Sequence, residues 1–233
     1  MQTHLMTTSL INIIVSPQEA FRDLRGRPNS LAPVALIIFS LLCVIWVYYA
    51  RVDMAWLADH TVQSYAASPG HELSQADEQR MRTSLAHMSP TFMGVTSALS
   101  VTVALLATFF VLAMYLQLIS AVTGEALKMR HWFSLVTWCS IPMVFASLAT
   151  LINMLLVHDG ALAAERMNPL SLRQLIASDR PGFGVFDYID LTVIWALVLM
   201  IAGYRAWTRR SVAVSLAIFL APLVLVGAIA QLL

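Results

Sequence analysis

The chain has 233 residues, 59% of them hydrophobic and only 12% charged, and its mean hydropathy is +0.74. Soluble domains carry about 25% charged residues, so this composition excludes an ordinary soluble enzyme and indicates a polytopic membrane protein. The net charge of +1, with basic residues scattered rather than gathered in a stripe, gives no sign of a nucleic-acid-binding surface.

The first residues, 3–15, are apolar but too short to cross a bilayer. Ser16-Pro17-Gln18-Glu19 places Ser at N-cap, Pro at N1 and Glu at N3, which predicts a helix start with a capping box. The helix that follows sets Ala20, Phe21 and Leu24 against Arg22 and Arg25, and Gly26 and Pro28 mark its end. Segment 1–27 therefore reads as amphipathic, either lying on the membrane surface or packed beneath the helix bundle.

The first span covers 28–50, with Trp46, Tyr48 and Tyr49 toward its far end as an interfacial belt. Its helix is expected to run on through Trp56 toward Ser68, before Pro69-Gly70. Because this run starts late and lacks a small-residue cleavage site, no cleavable signal peptide is expected. The polar segment 51–90 contains a second capped start, Ser74-Gln-Ala-Asp77, and an apolar face at Met81, Leu85 and Met88. The second span, 91–122, is long and must tilt or project. A short loop through Gly124 leads to the third span, 132–157, which Pro142 should kink.

A second polar segment, 158–187, starts a short amphipathic helix at Asn168-Pro169, carrying Leu172, Leu175 and Ile176. The fourth span, 188–207, is clamped between Asp190 and Arg205. At ~1.5 Å per residue its uncharged run covers about 21 Å, against about 30 Å of bilayer core. Either end residue must dip below the interface or be sheltered by the bundle. The fifth span, 211–233, carries Ala213, Ala217 and Ala221 on one face, a small-residue ridge suited to close packing with a partner helix or a second copy.

Arg22, Arg25, Arg27, Lys128, Arg130, Arg205, Arg209 and Arg210 fall on three short segments that carry only Glu19, Asp23 and Glu125 as acids. The positive-inside rule then places the N-terminus in the cytoplasm and the C-terminus outside. The fold expected is an all-α integral membrane bundle of five transmembrane helices with short interfacial helices, forming a single domain over 1–233.

Catalytic signatures are missing from the sequence. There is no Gly-rich phosphate loop with Lys, no H-E-x-x-H, no cysteine pair at metal spacing and no G-x-S-x-G. His60, His71, His87 and His158 occupy the polar segments at no recognised ligand spacing, and solvated loop histidines describe them better than a metal site. Cys43 and Cys139 lie in apolar runs and read as small core residues. Asp187 and Asp190 are too close on one helix to resemble an aspartyl catalytic pair, which two different elements normally supply. Two readings of Asp190 stand. It is a structural anchor, stabilised by the helix dipole and bonded to backbone, Asn153 or a tyrosine. Alternatively it is a cation or proton relay, with Gln117 and Asn153 as the other polar residues at depth. Arg205 reads as a snorkelling cation.

Three stretches carry a family resemblance: Ile14-Val-Ser-Pro17-Gln-Glu-Ala-Phe21; Gly124 through Trp138-Cys-Ser-Ile-Pro142; and Ile189-Asp190-Leu-Thr-Val-Ile-Trp195 through Gly203. They resemble the Yip domain family of five-span membrane proteins, in its bacterial branch. The family's usual glycine pair is here Thr123-Gly124. The resemblance implies an integral protein of the bacterial inner membrane without catalytic activity or cofactor, acting through protein or lipid partners. Its first functional expectation is a scaffold or adaptor. The alternative from the residues is a small transporter, channel or lipid-translocating protein using Asp190.

Overall fold

The computed structural model describes residues 12–66, 74–157, 160–176 and 189–230, with side chains of the last helix described as far as Pro222. Its helices, in chain order, are α1 (Pro17–Gly26), α2 (Leu31–Arg51), α3 (Met54–Ala66), α4 (Gln75–Ala86), α5 (Pro90–Thr123), α6 (Met129–Cys139), α7 (Pro142–Leu156), α8 (Leu172–Leu175), α9 (Leu191–Thr208) and α10 (Val212–Ala230).

Four helical stretches among the described residues are long and apolar enough to cross a membrane: Leu31–Arg51, Pro90–Thr123, Met129–Leu156 and Leu191–Thr208. Val212–Pro222 adds a shorter apolar helical stretch. The Met129–Leu156 stretch is the centre of the bundle, 56% buried where the others reach at most 39%. It packs on α2, α5, α9 and α1. Helix α5 lies at the edge. Its 34 residues would span about 51 Å, and Phe92, Leu99, Val103, Phe110 and Leu118 are exposed along it, an apolar wall for lipid.

Several expectations are corrected. Pro142 breaks the third span rather than bending it. Ile141 N–H bonds back to Trp138 O and Val144 N–H to Ile141 O, three-residue steps that tighten the chain around Ser140 and leave Pro142 at the first position of a new helix. The first span does not continue past Arg51. Val52 is extended, Asp53 N–H bonds to Gly160 O at 3.0 Å, and the Asp53 carboxylate accepts the N–H groups of Ala55 and Trp56 to start α3. The Ser16 hydroxyl makes no cap bond. Residues 12–15 are already helical, Ser16 N–H bonds to Asn12 O, and the Ser16 backbone carbonyl serves Glu19 and Ala20 instead. The expected start at Asn168 moves to Ser171, whose hydroxyl accepts from Gln174 N, and α8 is a single turn that leaves Leu175 and Ile176 exposed.

Other expectations hold. Ser74 caps α4, its hydroxyl accepting from Asp77 N and donating to Asp77 Oδ2. Met81 and Leu85 are half-buried where α4 packs on α3, whereas Met88, also expected on that face, falls beyond the helix and is exposed. Gly124 ends α5 at φ 77°, a left-handed conformation that a Cβ would strain. The amphipathic α1 packs beneath the bundle with Ala20, Phe21 and Leu24 buried against α6 and α9.

Candidate functional site

The polar contacts sort the bundle into two ends. At one end α1, the 123–131 loop and the last turn of α9 converge. Trp207 donates its indole N–H to Phe21 O at 2.6 Å, Arg210 donates to Thr123 O at 3.0 Å, and Arg210 Nε lies 3.6 Å from Glu125 Oε1. Arg205 is exposed on this end. His131 and Trp207 meet edge to face, and Trp132 stacks on Tyr204. The basic residues of three separate sequence segments thus gather on one side.

The opposite end ties the polar segments to the spans. Arg51 donates to Val157 O at 2.7 Å, Tyr48 to Leu162 O at 3.0 Å and Asn153 to Met167 O at 2.9 Å. His60 pairs with Glu165 at 2.9 Å and stacks on Trp56, while His87 follows the end of α4. His71 and His158 lie outside the described residues, among which no cluster suited to a metal ion occurs.

Asp190 sits at this end, at the N-cap of α9. One oxygen, Oδ1, accepts Thr192 N–H at 2.8 Å, Thr192 Oγ1–H at 2.6 Å and Val193 N–H at 2.9 Å. The other, Oδ2, accepts Asn168 Nδ2–H at 2.7 Å. The backbone around it is held as well, by an isolated bridge between Ser171 and Asp190 in which Leu172 N–H bonds Ile189 O and Leu191 N–H bonds Leu170 O. Asn168 is itself fixed, its Oδ1 accepting Leu170 N–H. The carboxylate therefore caps a helix and staples the preceding loop to it. Its partner is Asn168, not Asn153, which is engaged with Met167. Asp187 lies outside the described residues.

The remaining candidate residues are dispersed. Trp195 stacks on Phe145 with ring centroids 5.4 Å apart. Gln117 Oε1 is buried on α5 without a hydrogen-bond partner among the described residues. Pro142 is buried at the α6–α7 break. No single centre collects Asp190, Gln117, Asn153 and Arg205.

Sequence reasoning missed a cavity of about 640 Å³ between α2, α5, α6, α7, α9 and α10. Its wall is made mostly of aliphatic and aromatic side chains, with Asp190, Asn168 and Thr192 at one end. Several of the hydroxyls along it are turned onto backbone carbonyls. Ser140 and Ser147 bond back to Val136 O and Met143 O, and Tyr115 donates to Ile218 O of α10. The spacing of Ser140, Ser147 and Thr150 along one helical stripe of the third span was the available signal.

The model of the Yip1 domain matches residues 11–233, nearly the whole chain. Comparison with the curated proteins and with the solved structures gives no match.

Proposed function

This chain belongs to the Yip1 domain family, and from that premise we propose that it is a non-enzymatic scaffold or adaptor, working through protein and lipid partners in a bacterial inner membrane. It is an integral membrane protein with four apolar spanning helices among its described residues, which place it in contact with the bilayer.

The observation that carries the scaffold reading is the bonding of Asp190. Asp190, the one acid at the edge of the fourth span among the described residues, accepts four hydrogen bonds from its own chain. That bonding holds a loop and a helix in fixed relation. It also argues against Asp190 as a relay, because a proton carrier must break and remake such bonds at each passage. The gathering of Arg25, Arg205 and Arg210 on the α1 end supports a cytoplasmic face there. With α10 as a fifth span, the C-terminus would lie outside.

The Ala213–Ala217–Ala221 ridge offers the route for self-association. These residues are exposed, whereas Ser215 and Phe219 on the opposite face of α10 are buried in the bundle. In the absence of a hydrophobic driving force within lipid, small residues that let two backbones approach favour pairing. Oxidative cross-linking of an Ala217→Cys variant in native membranes tests this. A cross-linked dimer, or a stable partner recovered from mild detergent, supports the scaffold. A monomer without partners that carries a directional solute flux in liposomes overturns it.

A further inference from the structure

We propose that the 640 Å³ cavity takes one acyl chain and the end of the head of a phospholipid whose head ends in a primary ammonium, as in phosphatidylethanolamine, with that chain among α2, α5, α7 and α9 and the ammonium at Asp190. The inference deepens the reading of this chain as a membrane protein with lipid partners, and rests on it.

The size falls within the range of about 300–1,000 Å³ typical of ligand sites. The wall chemistry selects hydrocarbon. Leu41, Leu112, Met143, Leu197 and Phe219 line it, and the hydroxyls of Ser140, Ser147 and Tyr115 are turned onto backbone carbonyls rather than left to face a ligand. The aliphatic part of the wall offers water no hydrogen-bond partners. Inside a bilayer the available filling is an acyl chain.

The head is selected at the polar end. Among the described lining residues Asp190 is the one acid and there is no Lys, Arg or His, so these residues offer an anionic head no counter-charge. Each carboxylate oxygen carries about two lone-pair sites, and charge-assisted bonds are the strongest that a carboxylate makes. Oδ1 is filled by three donors, while Oδ2 accepts only Asn168 Nδ2 among the described residues and keeps room for a second donor. A primary ammonium supplies both the positive charge and the N–H. A quaternary choline supplies the charge without the N–H, and phosphatidylglycerol supplies hydroxyls with a net negative charge.

The test uses the full chain in nanodiscs or mild detergent. Native mass spectrometry would follow bound phosphatidylethanolamine, phosphatidylcholine and phosphatidylglycerol with identical acyl chains. We expect phosphatidylethanolamine to be retained at least ten-fold better than either of the others. Ala196→Phe and Ala146→Phe, which project bulk from half-buried lining positions, should each lower its retention at least five-fold while leaving the unfolding temperature near that of the unmodified chain. Asp190→Asn keeps a capping oxygen and should abolish the preference between ethanolamine and choline heads. Equal retention of phosphatidylcholine overturns the head assignment. Unchanged retention in both filled variants overturns the site. If either result comes with intact Ala217→Cys cross-linking, the site falls and the scaffold stands. If cross-linking and partner recovery fail while the lipid preference persists, the scaffold falls and the site stands.

Discussion

Trp207 and Phe21 stand 186 positions apart in sequence, yet the indole N–H of one reaches the backbone carbonyl of the other at 2.6 Å. Both residues are fully buried or nearly so. This bond locks the N-terminal amphipathic helix onto the last turn of α9, and it explains why a segment suited to the membrane surface is instead part of the bundle. Trp207→Phe keeps an aromatic ring but removes the indole donor, leaving the Phe21 carbonyl with its helical partner only. A lost hydrogen bond costs about 0.5–1.5 kcal/mol. The variant should unfold earlier in detergent and expose Arg22 and Arg25 to trypsin sooner than the unmodified chain.

Gly203 makes the same docking possible from the side of packing. A Cβ at this position would lie 3.0 Å from Phe21 Cε1 and against Leu135 Cδ1. Gly203→Ala should therefore destabilise the bundle by about 1–3 kcal/mol through overpacking. Combining it with Leu135→Val, which clears the nearer contact, should recover part of the loss. Thermal unfolding of the single and double variants decides this.

Arg210 provides a contrast at the same end. Its ion pair with Glu125 is 3.6 Å long and its side chain is 41% exposed. Exposed pairs contribute about 0–1 kcal/mol, so Arg210→Gln should shift stability less than Trp207→Phe in the same unfolding assay.

At the other end, Asn168→Ala removes the donor to Asp190 Oδ2 while leaving the helix cap on Oδ1. Hydrogen bonds to charged groups contribute about 1.5–3 kcal/mol. The expected outcome is a loss in that range, with the N-terminus of α9 still protected in hydrogen exchange while the backbone amides of Leu172 and Leu191 exchange faster.

Much of this fold is legible in the residues. Charge-free runs locate the spans, because only apolar helices satisfy their backbone inside a bilayer. Asp190 reads as a helix-start acid from its place before an apolar run. Its partner does not. Asn168 is 22 positions away, and its contact is set by the chain path rather than by any local pattern. The stop after Arg51 was hidden as well, since it depends on Asp53 N–H finding Gly160 O across the fold. The cavity was least accessible of all, because its lining comes from six helices that only the folded chain brings together. The sequence shows only the small hydroxyl stripe of Ser140, Ser147 and Thr150.

The unfolding temperature of Asp190→Ala and Asp190→Asn, measured beside ion flux in liposomes, separates an anchoring Asp190 from a relaying one. Replacing a capping residue by Ala costs about 0.5–2 kcal/mol, and Asn is itself a good cap. If Asp190 is the pin of the fourth span, the Ala variant unfolds clearly earlier and the Asn variant restores most of that loss, with no flux in any form. An Ala variant as stable as the unmodified chain, together with a cation or proton flux that both variants abolish, would make Asp190 a relay instead.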